Sequence, residues 1–145
     1  MNAPRPSFWE AVGAIREDDD RLQREAYGFV LVALDWTVRR LPADRNADPL
    51  RRHLSGGELL AGLAALARQE FGAFAPTVFG EWGVRSNEDI GRLVFQLVES
   101  GQLSALPQDA MQDFLEAPDL LQSLAADVAP LRASRLDGGE IRPER

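Results

Sequence analysis

His53 is the only histidine of the chain, and it lies close to other residues that could take part in catalysis. Ser55 and Glu58 follow it, and Asp35 occurs in an apolar stretch upstream. These residue types can supply a nucleophile, a base and a group that orients the base, so an enzyme centred on His53 and Asp35 is one hypothesis. No motif fixes their geometry, however, and Ser55 with Glu58 also matches the capping box that begins an α-helix.

Asp35 has two interpretations. A lone carboxylate among buried apolar residues would be costly, so a pair with an arginine such as Arg39, four positions later, is the favoured one. The alternative is a buried acid with a raised pKa. One histidine, scattered carboxylates and no cysteine are too few ligands for a metal site. We therefore expect no metal, no cofactor and no enzymatic activity.

The charge of the chain is acidic and unevenly distributed. The 16 basic residues are all arginine, against 23 acidic residues, which gives a net charge of −7. Residues 86–127 contain a single arginine, Arg92, and eight acidic residues. Because a nucleic acid is bound by cations that displace its counterions, this segment argues against nucleic-acid binding. It favours a basic protein partner, which an acidic surface attracts at long range.

Apolar residues recur at helical spacing along most of the chain. Capping boxes at Ser7 and Ser55 and stop signals at Pro42 and Gly72 mark helix ends. The self-repelling acidic run at 17–20 predicts a break after the first helix. The predicted helices are one that begins at Ser7, then Asp20–Leu41, Ser55–Glu70, Thr77–Trp82, Ser86–Ser100 and Asp119–Leu131.

Residues 77–100 have the pattern of a helix, a tight glycine turn and a second, capped amphipathic helix, as in a helix-turn-helix. Two alternatives remain open for residues 102–115. A small β-hairpin would place strands at Gln102–Leu106 and Ala110–Leu115 and would form a wing. A helix is the rival, since Met111, Phe114 and Leu115 are helically spaced. We predict a mainly α fold: a compact domain of about six helices with a winged-helix-like core, with the hairpin left open.

The length of the chain is that of one domain. We predict a disordered arm at residues 1–6, a single helical domain at 7–131 and a mobile polar tail at 132–145. The N-terminus lacks the pattern of a signal peptide, and no apolar run is long enough to span a membrane. These features predict a soluble cytoplasmic protein with no membrane partner.

Several short motifs of the chain are shared with one known group of proteins. They are Tyr27-Gly28-Phe29-Val30, His53-Leu54-Ser55-Gly56, Phe71-Gly72, Trp82-Gly83-Val84 and Val94-Phe95-Gln96-Leu97-Val98-Glu99-Ser100-Gly101. With these motifs the chain resembles a family of short bacterial proteins described as restricted to Verrucomicrobia and Planctomycetes. The resemblance covers about Asp20–Phe114 and implies one compact domain, without any activity that could be transferred.

The charge pattern favours a non-enzymatic intracellular protein-interaction or adaptor module with an acidic binding face, and a homodimer is compatible with it. The candidate partner-binding residues are Phe95, Glu99, Leu106, Met111, Asp113 and Phe114. The alternative is a winged-helix-like regulator associated with nucleic acid, whose candidate contacts are Arg39, Arg40, Arg51, Arg52, Arg85 and Arg92. An enzyme that uses His53 and Asp35 is the third hypothesis.

Overall fold

The chain is mainly α-helical in the computed structural model, which describes residues 7–47, 54–103 and 110–126. No β-strand occurs in these ranges, and residues 120–126 are also helical. None of the helices described is long and apolar enough to cross a membrane. The helices are α1 (Phe8–Asp18), α2 (Arg24–Arg39), α3 (Ala43–Asn46), α4 (Gly56–Phe71), α5 (Ala75–Glu81), α6 (Asn87–Glu99) and α7 (Ala110–Glu116), with a 3-10 turn at Gly72–Phe74 before α5.

The two predicted capping boxes are confirmed. The Ser7 hydroxyl accepts a hydrogen bond from the Glu10 amide, and the Glu10 carboxylate accepts one from the Ser7 amide. Ser55 and Glu58 do the same at the start of α4. Arg45 of α3 also donates to both carboxylate oxygens of Glu58. Arg45 and Ser55 together lower the pKa of Glu58 to about 2, so this carboxylate is explained by structural contacts.

Helix α4 occupies the centre of the fold and packs against α2, α5 and α7. Helices α2 and α4 approach each other closely where Gly62 of α4 lies directly against Thr37 of α2. The Thr37 hydroxyl donates to the Ala33 carbonyl oxygen at 2.7 Å, which holds the side chain in place. Leu59, Leu63 and other apolar residues of α4 are buried between its neighbours. The absence of a side chain at residue 62 therefore sets how closely the two long helices approach.

Helix α2 begins four residues later than predicted, at Arg24 instead of Asp20. The reason is tertiary. The Gln23 amide donates to the Trp82 carbonyl oxygen at 2.9 Å, and Gly83 lies against the backbone carbonyl of Arg21. Gly83 has a φ of 91°, a conformation that other residues rarely adopt. The segment before α2 is thus bound to the turn before α6 and does not join the helix.

Helix α6 is a core-forming helix. Ser86 caps it as predicted, and its apolar stripe of Ile90, Leu93, Val94 and Leu97 is buried. It packs mainly on α7 and on α1, whereas α5 packs mainly on α4. The winged-helix-like relation of α5 and α6 stays a prediction.

The hairpin alternative is wrong for residues 110–115, which belong to α7. Residues 104–109 lie outside the described part of the chain. The helix forms instead of the hairpin because helical spacing brings Met111 and Phe114 together against Gly91 of α6, which has no side chain. Phe114 also contacts Gly56 of α4. Phe114 is only 1% exposed. It therefore belongs to the core, which corrects its prediction as a partner-binding residue.

Candidate binding groove

An open groove with a volume of about 490 Å³ lies between α1 and α6. It lies where α1 packs against α6, and on the α1 side Ala14 is exposed whereas Ala11 is buried. The lining residues are Glu10, Ala11, Ala14, Ile15, Asp18, Asp19, Gln96, Glu99 and Ser100. Ala11, Ala14 and Ile15 supply the apolar part of the lining, which we call the floor of this α1–α6 groove, and three of its four carboxylates, Glu10, Asp18 and Glu99, are exposed.

The polar groups beneath the groove are already paired within the protein. The Tyr27 hydroxyl donates to Gln96 Oε1 at 2.7 Å, and Gln96 Nε2 donates to Asp19 Oδ2 at 2.9 Å. Arg21 donates to both carboxylate oxygens of Asp19 and holds its pKa well below the usual range. Burial raises the pKa of Tyr27 to about 12. This network fixes the orientation of Gln96 and offers little to a ligand that needs hydrogen bonds from the floor.

Two carboxylates at the edge of the groove have no such structural explanation. Asp18 is the last residue of α1 and Glu99 the last residue of α6. Both are exposed, and neither forms a hydrogen bond or ion pair within the described ranges. The C-terminal end of a helix carries partial negative charge, so an acidic residue there is unfavourable. Each of the two acids is therefore expected to reduce stability at its own helix end, and both line the groove.

We expect Asp18→Asn and Glu99→Gln each to raise the free energy of unfolding by about 0.3–1 kcal/mol, because each removes a negative charge from a helix C-terminus. Urea denaturation at low ionic strength measures the change. Glu88→Gln is the matched control, since Glu88 lies in the first turn of α6 and pairs with Arg92; it should lower stability. Equal losses from all three substitutions would contradict the assignment of Asp18 and Glu99 as unfavourable charges.

The other predicted partner-binding residues are spread over the α6–α7 side. Glu99 contributes to the groove, and Phe95 is half-buried on α6. Met111 packs against Gly91, and the side chain of Asp113 lies beside Gly56. Leu106 lies outside the described residues. Sequence reasoning missed Asp18 as a candidate, although an acidic residue at a predicted helix C-terminus is a detectable signal.

Among the described residues, the predicted nucleic-acid contacts do not converge on one surface. Arg39 pairs with Asp35 at 2.9 Å, and the Arg40 guanidinium lies 3.7 Å from the centre of the Trp36 ring. Arg39 and Arg40 lie at the C-terminal end of α2. The N-terminal end of α2 lies beside the turn that carries Arg85, about 24 Å away along the helix axis. Arg92 pairs with Glu88 and Asp89 and is neutralised by them. Arg51 and Arg52 are not among the described residues.

Asp35 is exposed and forms the predicted pair with Arg39, so the alternative of a buried acid is wrong. The side chain faces solvent because residues on the opposite face of α2, such as Val30 and Ala33, enter the core. His53 lies outside the described residues, so its distance from Asp35 stays open. Within the described ranges, no cluster of three or more acidic or histidine side chains could hold a metal ion.

Compared with known proteins, the chain matches no family model, no curated protein and no solved structure. The resemblance to the family from Verrucomicrobia and Planctomycetes therefore stays a prediction. A functional proposal has to rest on the chemistry of the groove itself.

Proposed function

We propose that this protein is a non-enzymatic protein-interaction or adaptor module whose acidic face binds a basic protein partner. The observation that carries the proposal is that two exposed carboxylates, Asp18 and Glu99, both line the α1–α6 groove and have no hydrogen-bond or ion-pair partner among the described residues. Each stands at a helix end where it is unfavourable. Charges that oppose stability are typical of functional sites, where they are retained for binding.

The surrounding charge supports the same conclusion. The whole chain has a net charge of −7, which attracts basic partners and increases their association rate. The Asp19–Arg21 pair is internally neutralised, so Asp18, Glu99 and Glu10 supply the local negative charge of the groove. An apolar floor between them can be covered on binding, which provides affinity that charge alone does not.

Capture of partners from the cytoplasm of the native organism tests this proposal. The full chain carrying Asp18→Arg and Glu99→Arg should lose a partner that the unaltered chain retains, and raising the salt concentration should weaken capture. The control carries Glu25→Arg and Glu70→Arg, which change the net charge equally at exposed positions outside the groove. It should retain the partner.

Equal retention by both double variants would overturn the use of this groove. Equal loss of the partner from both double variants would show that overall charge, and not the groove, causes the effect. Phe95→Ala and Asp113→Arg extend the test to the α6–α7 side. Loss of the partner only in these two variants would move the binding surface to that side.

A further inference from the structure

The walls of the α1–α6 groove limit how a partner can be bound. Both walls are helices, whose backbone groups are hydrogen-bonded within the helix apart from the last carbonyl groups of each. A peptide that binds as an added strand needs the open edge of a sheet, and the described ranges contain no strand. Recognition here therefore operates mainly between side chains. A helix laid along a groove is the mode of peptide binding that meets this condition.

The floor of the groove requires apolar contact from its occupant. Ala11, Ala14 and Ile15 form it on the α1 side. On the α6 side, both ends of the Gln96 amide are hydrogen-bonded, and the Ser100 hydroxyl donates to the Leu97 carbonyl oxygen at 3.0 Å. A polar ligand would find few free groups there. The small, exposed side chain of Ala14 leaves room for a larger apolar one above it.

The charged edge of the groove has a defined spacing. Glu10, Ala14 and Asp18 follow one another at intervals of four residues on α1, so the two carboxylates are about 12 Å apart along the helix axis, with alanine midway. One Glu10 carboxylate oxygen binds the Ser7 amide, which leaves the other for a partner. Glu99 adds negative charge from the opposite wall.

Resting on the function proposed above, we infer that the groove binds one amphipathic helix of the partner. That helix presents a large apolar residue over Ala14 and two basic residues about eight positions apart, which lie near Glu10 and Asp18. The negative charge of the groove favours a basic partner, and the geometry of an α-helix determines the spacing of its two basic residues. Glu99, on the α6 side, adds negative charge that attracts these basic residues.

A synthetic helical peptide tests this spacing directly. An alanine-based peptide of about 16 residues is long enough to hold partial helicity; it carries leucine at its centre and an arginine about four positions to each side. One control peptide has the same composition with both arginines moved to the opposite helical face. A second has a central proline, which breaks the helix. Fluorescence anisotropy measures affinity for the full chain, and amide chemical shifts locate the binding site.

We expect the designed peptide to shift the amide signals of residues 10–19 and 96–100 and to bind at least tenfold more tightly than either control peptide. The Asp18→Arg and Glu99→Arg double variant should bind it about tenfold more weakly. The Glu25→Arg and Glu70→Arg control should bind it like the unaltered chain. Thermal unfolding of the variants checks that the fold is retained.

Equal binding of the three peptides, shifts outside the groove, or no binding would overturn the helical mode. If the native partner is still captured through Asp18 and Glu99, the proposed function stands and only the helical mode fails. Sedimentation of the full chain tests another occupant. A dimer that dissociates in the Asp18→Arg and Glu99→Arg variant would identify a second copy of the chain as the occupant and overturn the inference. If a peptide of residues 127–145 bound more tightly than the designed peptide, the occupant of the groove would be this chain's own C-terminal segment and not a partner helix.

Discussion

Replacement of Asn87 by aspartate is expected to lower the free energy of unfolding by about 3–5 kcal/mol, the range for leaving a buried charge without a partner. Asn87 is the first residue of α6 and is only 7% exposed. Its amide nitrogen donates to the carbonyl oxygens of Phe114, Ala117 and Pro118 at 3.0–3.2 Å. Its oxygen accepts a hydrogen bond from the Leu120 amide at 2.9 Å. An aspartate side chain has almost the same shape as asparagine, but its carboxylate has no N–H group to donate to the three carbonyl oxygens.

The pH dependence separates this charge effect from a packing effect. The carbonyl oxygens around the introduced carboxylate disfavour its ionised form, so its pKa in the folded state is raised above the unfolded value. The destabilisation is then present at neutral pH, decreases as pH falls from that raised pKa toward the unfolded value, and is absent below the unfolded value. Urea denaturation at pH 7 and pH 4 should show a smaller deficit at pH 4.

Two further substitutions serve as controls for Asn87→Asp. Asn87→Ala leaves donors and acceptors unpaired without adding charge and should cost about 1–3 kcal/mol at both pH values. Asn46→Asp makes the same chemical change in α3 and should have a much smaller effect. A deficit for Asn87→Asp that does not change with pH would contradict the charge explanation.

Gly62→Ala is expected to lower the free energy of unfolding by about 1–3 kcal/mol, because an added methyl group overfills the closest contact between α2 and α4. A β-carbon at residue 62 would overlap the Thr37 hydroxyl oxygen and would lie 2.9 Å from both Cβ and Cγ2 of Thr37. Thr37 is β-branched and its hydroxyl is bound to Ala33, so it cannot easily turn away. Thermal and urea denaturation measure the loss.

A double-mutant cycle shows whether Thr37 is the cause. Removal of the Thr37 hydroxyl and methyl in Thr37→Ala should recover part of the loss from Gly62→Ala, with a coupling of about 0.5–3 kcal/mol. Gly13→Ala is the matched control, since Gly13 lies on α1 and a β-carbon there meets nothing within 4 Å. It should raise stability by up to about 1 kcal/mol through helix propensity. If the losses of stability from Gly62→Ala and Thr37→Ala were additive, a contact other than Thr37 would cause the effect of Gly62→Ala.

Local signals in the sequence predicted most helix ends. The capping boxes at Ser7 and Ser55 and the cap at Ser86 need only a few neighbouring residues, so spacing is sufficient to recognise them. The start of α2 was predicted four residues too early. The bond from Gln23 to Trp82, which joins residues far apart in the chain, leaves no local signal.

The same limit explains Phe114 and the hairpin alternative. A pattern of apolar residues shows that Met111 and Phe114 share a helical face, but it does not show what covers that face. Two glycines, Gly56 and Gly91, receive the Phe114 ring, and the bonds of Asn87 fix the end of α7. A residue predicted to bind a partner therefore became part of the core.

The sequence by itself determined the helical class, the capped helix ends and the pairing of Asp35 with Arg39, because each depends on residues within about one or two helical turns. It also determined the acidic balance that makes a basic partner the favoured proposal. Only the tertiary structure decided that Phe114 is buried and that Asp18 and Glu99 share one groove. Those two acids belong to different helices, and the packing of α1 on α6 brings them together through contacts that no local pattern contains.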